Sequence, residues 1–133
     1  MTVDWNKVRF FKPSEFQHPE QLDPLLIYSI DALRDAAGRS IKINSDYRPG
    51  DPGQHGLGRA VDIVISGLHV VDQFLLAEKT RLFAGIGIYP HWNRPGIHVD
   101  IRTLQPHEPG ARWARDIAGN YVALTWAFMR GLK

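Results

Sequence analysis

A single aspartate, Asp62, stands inside the apolar run Ala-Val-Asp-Ile-Val-Ile at residues 60–65. This run is typical of a buried strand, and a carboxylate in such a strand is costly unless it is ion-paired or bound to a metal. The fold around this run must therefore bring a partner to Asp62. The partner is either a metal ion or an ordinary buried salt bridge.

His55 precedes Asp62 by seven positions, and Gly56 and Gly58 lie between them. In a helix the two residues would stand roughly 10 Å apart along the axis. In an extended strand they would be roughly 23 Å apart. Metal–ligand bonds are about 2 Å long, so neither form lets both residues hold one ion. The chain must turn back between them, and glycine permits the backbone angles and close approaches of such a turn.

His98 and Asp100 lie in a second short apolar run, and residues two apart on a strand share a face. With His55 and Asp62, His98 completes a candidate set of three metal ligands. Such a set leaves one position open for water, as a hydrolytic zinc site requires. Asp100 then orients a ligand imidazole, acts as a base, or fixes Arg102 or a turn, and the sequence leaves these roles open.

Length and composition fit one domain over residues 1–133. The chain is 44% hydrophobic and has four Trp and six Phe, enough for a core without disulfides or a structural metal. It has no cysteine, which excludes a disulfide framework and thiolate ligands. A net charge of +2 without a Lys/Arg block argues against a nucleic-acid groove. No stretch is long enough to span a membrane, and we expect a monomer.

Two helices are predicted. Asp23 and Pro24 are typical of a helix start, and Gly38 is typical of a helix end. A second helix is predicted over 68–80. Its inward side chains are predicted to be Val71, Phe74 and Leu75.

The strand pattern completes an α+β plan, a small antiparallel sheet with helices packed on it. The segment 121–129 fits either a helix or a strand. Glycines in the segment 84–89 suggest a strand that admits a close neighbour. Strands are predicted over 41–45, 60–65, 84–89, 97–101 and 112–115.

Four blocks in order resemble the zinc D-alanyl-D-alanine carboxypeptidase family, in its small single-domain branch that is often encoded by phages or prophages. The family order is a Ser-x-Tyr-Arg block, then His-x6-Asp, then His-x-Asp. Together the blocks cover most of residues 13–102, and their combination is more specific than any one of them. They are SDYRP at 45–49, QHGLGRAVD at 54–62, GIGIYP at 85–90 and IHVDIR at 97–102.

The resemblance implies a hedgehog/DD-peptidase fold and a zinc peptidase that acts on peptidoglycan peptides. The candidate ligand set would match the family's three zinc ligands. Arg48 would match the arginine that meets the substrate carbonyl or carboxylate, which agrees with the chemistry of a guanidinium beside a metal. Otherwise it is a loop residue that fixes Asp46 or Asp51. Ser45 and Gln54 either line the substrate site or have loop roles only.

The chain departs from the family at the general base. Many members carry an acidic residue three positions before the last metal histidine, where this chain has Pro95. Some relatives carry a histidine two positions before it, where this chain has Gly96. Asp100 is our first candidate for the base and His91 the second, unless His91 is only an exposed turn residue.

Two classes of function follow. The first is an active metallopeptidase, either a D-Ala-D-Ala carboxypeptidase or an endolysin-type endopeptidase, and the ligand set and Arg48 favour it. The second is a catalytically silent, metal-bound module that binds wall peptides or serves phage structure, and Pro95 favours it. The N-terminus lacks the apolar segment of a signal peptide. We therefore expect synthesis in the cytoplasm, with access to the wall through lysis or a holin-like pore.

Overall fold

A six-stranded sheet organises the chain, whose residues 2–132 are described by a computed structural model. The order across the sheet is β1-β2-β4-β3-β5-β6, and the prediction of a small α+β fold is confirmed. All neighbours pair antiparallel except β3 and β5, which are parallel. The strands are β1 Ile41–Ser45, β2 Ala60–Ile65, β3 Gly85–Tyr89, β4 Gly96–Asp100, β5 Ala111–Arg115 and β6 Tyr121–Val122.

One strand pair, β3 with β5, is parallel in this mostly antiparallel sheet. The connection after β4, residues 101–110, carries the chain past β3 before β5 begins. Strand β5 then pairs with β3, with Gly85 opposite Ala111 and Gly87 opposite Trp113. Strand β5 therefore lies next to β3, and β6 forms the edge of the sheet on that side.

Helix α1, Pro24–Ala37, has the predicted ends. The Asp23 carboxylate accepts a hydrogen bond from the Leu25 N–H, which satisfies one of the free donors of the first turn. Gly38 ends the helix with a positive φ of 61°, the left-handed conformation that glycine adopts without strain.

Helix α2, Val70–Thr80, starts two residues later than predicted. His69 is its N-cap, because its Nδ1 accepts a hydrogen bond from the Val71 N–H. The prediction that Leu75 points inward is wrong, since Leu75 is 40% exposed. Gln73 lies on the buried face instead. Its side-chain amide accepts from the Ile65 N–H and donates to the carbonyls of Leu68 and Pro95.

Segment 121–129 contains both of the forms that its pattern allows. Strand β6 is followed by helix α3, Trp126–Arg130. Thr125 caps α3 by accepting a hydrogen bond from the Phe128 N–H. Short 3₁₀ turns occur at Trp5–Lys7, Pro13–Glu15, Pro19–Gln21 and Gln54–Leu57. Within residues 2–132, no helix combines the length and apolarity that crossing a membrane would require.

The two faces of the sheet differ in character. Alternate residues of β2, β3 and β4 point to one face and join α1 and α2 in a single hydrophobic core. The opposite face carries the polar residues and glycines of the same strands. The core-facing residues of these strands are Val61, Ile63, Ile65, Ile86, Ile88, Ile97 and Val99.

Candidate metal centre

Strands β2 and β4 place two of the predicted ligands side by side. Asp62 and His98 are paired residues of the antiparallel ladder, so their side chains leave the sheet from the same face. Gly87 lies on the other side of His98, in β3. A side chain on Gly87 would collide with the indole of Trp113, which fills this space from β5. Gly87 thus allows the close approach of Trp113, in agreement with the prediction that the glycines of this strand admit a close neighbour.

The three predicted ligands meet in one buried cluster. One ligand atom from each of His55, Asp62 and His98 lies within 4.8 Å of the other two, and all three residues are buried. Asp62 Oδ1 is 3.2 Å from His55 Nε2 and 3.1 Å from His98 Nδ1. This group can therefore hold a metal ion.

The predicted turn between His55 and Asp62 is present. His55 lies in the 3₁₀ turn Gln54–Leu57, which ends at Gly58 with a φ of 69°. The His55 Nδ1–H donates to the backbone carbonyl of Asp46 at 2.7 Å. Because a carbonyl oxygen only accepts, this bond fixes the tautomer and turns Nε2 toward the cluster.

His98 is oriented in the corresponding way by Asp100. The His98 Nε2–H donates to Asp100 Oδ2 at 2.8 Å, which leaves Nδ1 facing Asp62. Burial alone would lower the pKa of His98, but the hydrogen bonds and charges of Asp100 and Asp62 raise it. The cluster therefore attracts a positive charge to its centre, whether a proton or a metal ion.

Asp100 itself is enclosed. Its side chain has 0% exposure and accepts hydrogen bonds from Arg102 Nε at 2.9 Å and Arg102 Nη2 at 2.6 Å. Gly85 makes room for it, because a Cβ at that position would overlap the carboxylate. Burial would raise the pKa of Asp100, but the bonds from Arg102 and His98 hold it well below its usual range. Of the three roles that the sequence leaves open, this geometry supports orientation of His98 and fixing of Arg102 rather than proton transfer.

Arg48 reaches the cluster from the loop after β1. Its Nη2 donates to Asp62 Oδ2 at 2.6 Å, so one carboxylate oxygen is held by the guanidinium and the other faces the histidines. Its Nε donates to Ser45 Oγ at 2.9 Å. Ser45 therefore positions Arg48 and is not among the residues that line the cavity. Burial would raise the pKa of Asp62, but the hydrogen bonds and charges of His55 and His98 lower it well below its usual range.

The cluster opens into a cavity of about 730 Å³. Gln54 lines this cavity, as predicted. Sequence reasoning missed most of the remaining wall, although the alternation of 112–115 could have indicated that Trp113 and Arg115 share a face. The wall residues that it missed are Asn44, Asp51, Gly53, Tyr89, Trp92, Arg102, Trp113, Arg115 and Tyr121.

His91 does not line the cavity, contrary to what a role as base would require. It borders a separate cavity of about 620 Å³ beside α2. In the same turn, Trp92 stacks on Tyr89 with ring centroids 4.5 Å apart and takes the place facing the cluster. The turn thus directs neighbouring side chains to different cavities.

The donor set fits a divalent metal ion. Two imidazole nitrogens and one carboxylate oxygen are the ligand types that zinc uses, and three protein ligands leave a position open. Both histidines have an acceptor for their outer N–H, as metal-bound histidines usually do. Comparison of the chain with protein-family models, curated proteins and solved structures finds no match.

Proposed function

We propose that this chain is a zinc-dependent metallopeptidase that hydrolyses amide bonds in peptidoglycan stem peptides, as a D-Ala-D-Ala carboxypeptidase or an endolysin-type endopeptidase. One observation carries the proposal: His55, Asp62 and His98 come together in the wall of a cavity large enough for a peptide. The peptidoglycan assignment comes from the resemblance of the ordered motifs to the zinc D-alanyl-D-alanine carboxypeptidase family. A bound zinc ion would supply Lewis-acid activation of the scissile carbonyl and of water.

Arg48 supports the reaction from the chain's side. Its guanidinium is fixed by Ser45 and Asp62, and its side chain is 46% exposed beside the cluster. A guanidinium held in this way can hydrogen-bond a substrate carbonyl or carboxylate and offset charge that develops on the oxygen.

Asp51 is the carboxylate that we assign to proton transfer. Asp100, our first candidate from the sequence, is enclosed behind His98. Among the described residues, Asp51 is the one carboxylate besides Asp62 that lines the cavity. Its Oδ1 accepts from the Gly53 N–H, and its Oδ2 stands 3.7 Å from Arg48 Nη1. A carboxylate in this position can take a proton from water and return it to the leaving amine.

The test joins metal content with amide hydrolysis. The purified protein is assayed for zinc and for release of new amines or D-alanine from peptidoglycan, with and without a chelator. We expect about one zinc per chain and release that the chelator abolishes. His55→Ala, Asp62→Ala and His98→Ala should each lose the metal and the activity. His107→Asn, at an exposed histidine outside the cluster, should keep both.

A silent metal-bound module is the second candidate, and the position of Pro95 favours it. Where many members of the resembled family carry an acid, Pro95 instead offers a backbone carbonyl to Gln73 of α2. In this reading the protein binds wall peptides or serves phage structure without cleaving them. Full zinc occupancy together with no release from peptidoglycan by folded protein would support this function and overturn the peptidase.

A further inference from the structure

The wall of the metal cavity opposite Arg48 is built by strands β5 and β6. Residues two apart on a strand share a face, so Trp113 and Arg115 both point into the cavity. Trp113 packs against His98 with ring centroids 5.1 Å apart. Arg115 lies two residues further along β5, roughly 7 Å from Trp113 in the strand direction. The strand therefore carries one residue at the metal cluster and a second at a distance from it.

Arg115 differs from the other two arginines of the cavity in its charge balance. Arg48 donates to Asp62 at 2.6 Å, and Arg102 donates to Asp100 at the same distance. Arg115 bonds neutral oxygens only, and no carboxylate of residues 2–132 forms an ion pair with it. Within the described residues, the positive charge of Arg115 at the cavity wall thus has no ion-pair partner.

The guanidinium of Arg115 is held in place before any ligand arrives. Its Nε donates to the Gly119 carbonyl at 2.7 Å, and its Nη1 donates to the Tyr121 hydroxyl at 2.9 Å. The Tyr121 ring lies 4.5 Å from the guanidinium carbon. Nη2 makes no hydrogen bond within the described residues, so its donors are available. Because the Arg115 side chain is already ordered, it loses little additional conformational freedom when a ligand binds.

We propose that Arg115 is an anion subsite of the metal cavity and that the substrate is a short peptide with a free carboxylate a few residues from the cleaved bond. The spacing is consistent with this length. Arg115 is separated from His98 by two strand spacings and two residues, roughly 12 Å between Cα atoms, which is about three or four residues of extended peptide. This inference rests on the proposed function, since it names the substrate class of that site.

Four pentapeptides test the subsite. The parent is N-acetyl-Ala-Glu-Lys-Ala-Ala with D-alanine at the last two positions, and it carries both a side-chain and a terminal carboxylate. The second probe has a C-terminal amide, the third has Gln in place of Glu, and the fourth has both changes. Binding to the zinc-loaded full-length protein is measured by titration calorimetry before measurable cleavage, and amine release is followed in parallel.

We expect loss of one of the two carboxylates to weaken binding roughly tenfold or more, as for a charge-assisted Arg–carboxylate pair. The peptide that weakens identifies which carboxylate the subsite takes. Arg115→Gln should lose the preference for the carboxylate that the subsite takes, while any preference that arises at Arg48 remains. Arg130→Gln, which removes the same charge from an exposed position of α3, should keep the wild-type preference.

Three results would overturn the subsite. They are no preference in the wild type, an unchanged preference in Arg115→Gln, and an equal weakening of all four peptides by that substitution. The last result would mean that Arg115 only braces the β5–β6 hairpin. Amine release separates the two proposals. A carboxylate preference in binding without amine release would overturn the peptidase and leave the subsite. Amine release without a carboxylate preference would overturn the subsite and leave the peptidase.

Discussion

The orientation of each histidine in the cluster is set by a hydrogen-bond partner that is not itself a metal ligand. The Asp46 carbonyl and the Asp100 carboxylate each take the outer N–H of one histidine. They thereby decide that His55 offers Nε2 and His98 offers Nδ1 to the centre. Such partners also hold the rings at a fixed angle, which raises the affinity for a metal.

Asp100→Asn tests this orienting role. The asparagine can still accept the His98 N–H but loses the charge that holds His98 and Arg102. We expect zinc affinity to fall about 10- to 100-fold, the usual effect of removing such a partner. Competition with a zinc-binding dye measures the change. Asp35→Asn, at an exposed position of α1, is the matched control. Unchanged zinc affinity with lost turnover would return Asp100 to the role of general base.

Gly87→Ala tests the fit of Trp113 against β3. A Cβ at this position would overlap atoms of the indole ring, so Trp113 must shift from its position against His98. We expect a loss of about 1–3 kcal/mol in the free energy of unfolding, typical of overpacking. Denaturant titration gives the stability, and tryptophan fluorescence reports the displacement. Gly131→Ala, where a Cβ would meet only ordinary contacts at 3.5 and 3.6 Å, should leave the fluorescence unchanged.

For helices and strands, a feature could be predicted from the sequence when the interactions that produce it lie within a few residues. The ends of α1 follow from Asp23 and Gly38, which act within one turn of the helix. The inward face of α2 could not be predicted in this way, because Gln73 is held in the interior by hydrogen bonds to backbone groups distant in the sequence. Leu75, which the apolar pattern predicts to be buried, lies at the surface instead.

An ion pair joins two of these elements, helix α2 and strand β5. Arg112 donates to both carboxylate oxygens of Glu78, at 2.7 and 2.8 Å. The hydrogen bond from Arg112 lowers the pKa of Glu78, and this outweighs the opposing effect of burial. The stabilisation is therefore fully present above the ordinary pKa of 4.5 and is lost as the pH falls through the lowered value.

Glu78→Gln should lower the melting temperature at neutral pH, where the pair is charged. The Glu78 side chain is 42% exposed, so we expect a loss of no more than about 1 kcal/mol. The difference from wild type should shrink as the pH falls below 4.5. Calorimetric scans across this range measure it. Glu20→Gln, at an exposed glutamate, should show no such trend. A difference that is constant with pH would mean that packing, rather than the ion pair, is lost.

At the scale of the whole molecule, the ligand set could be predicted and the cavity could not. His55, Asp62 and His98 are recognisable because glycines and apolar runs explain their spacing. The wall from β5 and β6 depends on a parallel strand pair that forms only after a crossing connection. No local pattern in the sequence specifies which strand β5 will join, so Arg115 and Tyr121 could not be assigned to the site.

Metal binding should stabilise the folded chain as a whole. The three ligands come together only in the folded state, so a metal that binds them favours that state by mass action. A zinc concentration 100 times the dissociation constant should add about 2.7 kcal/mol to the free energy of unfolding. Thermal melts with zinc and with a chelator measure the shift. His98→Ala should show no shift, and an equal shift in that variant would place the binding elsewhere.

The position of the ligands within the sheet has a kinetic consequence. Asp62 and His98 lie on β2 and β4, which have a paired strand on each side, whereas His55 lies in a short turn. Backbone amides of such interior strands exchange their hydrogens slowly, since they open only when much of the fold opens. Removal of the metal by a chelator should therefore be limited by local opening of the turn that carries His55. The off-rate would follow hydrogen exchange in residues 54–58 and not the rate of global unfolding.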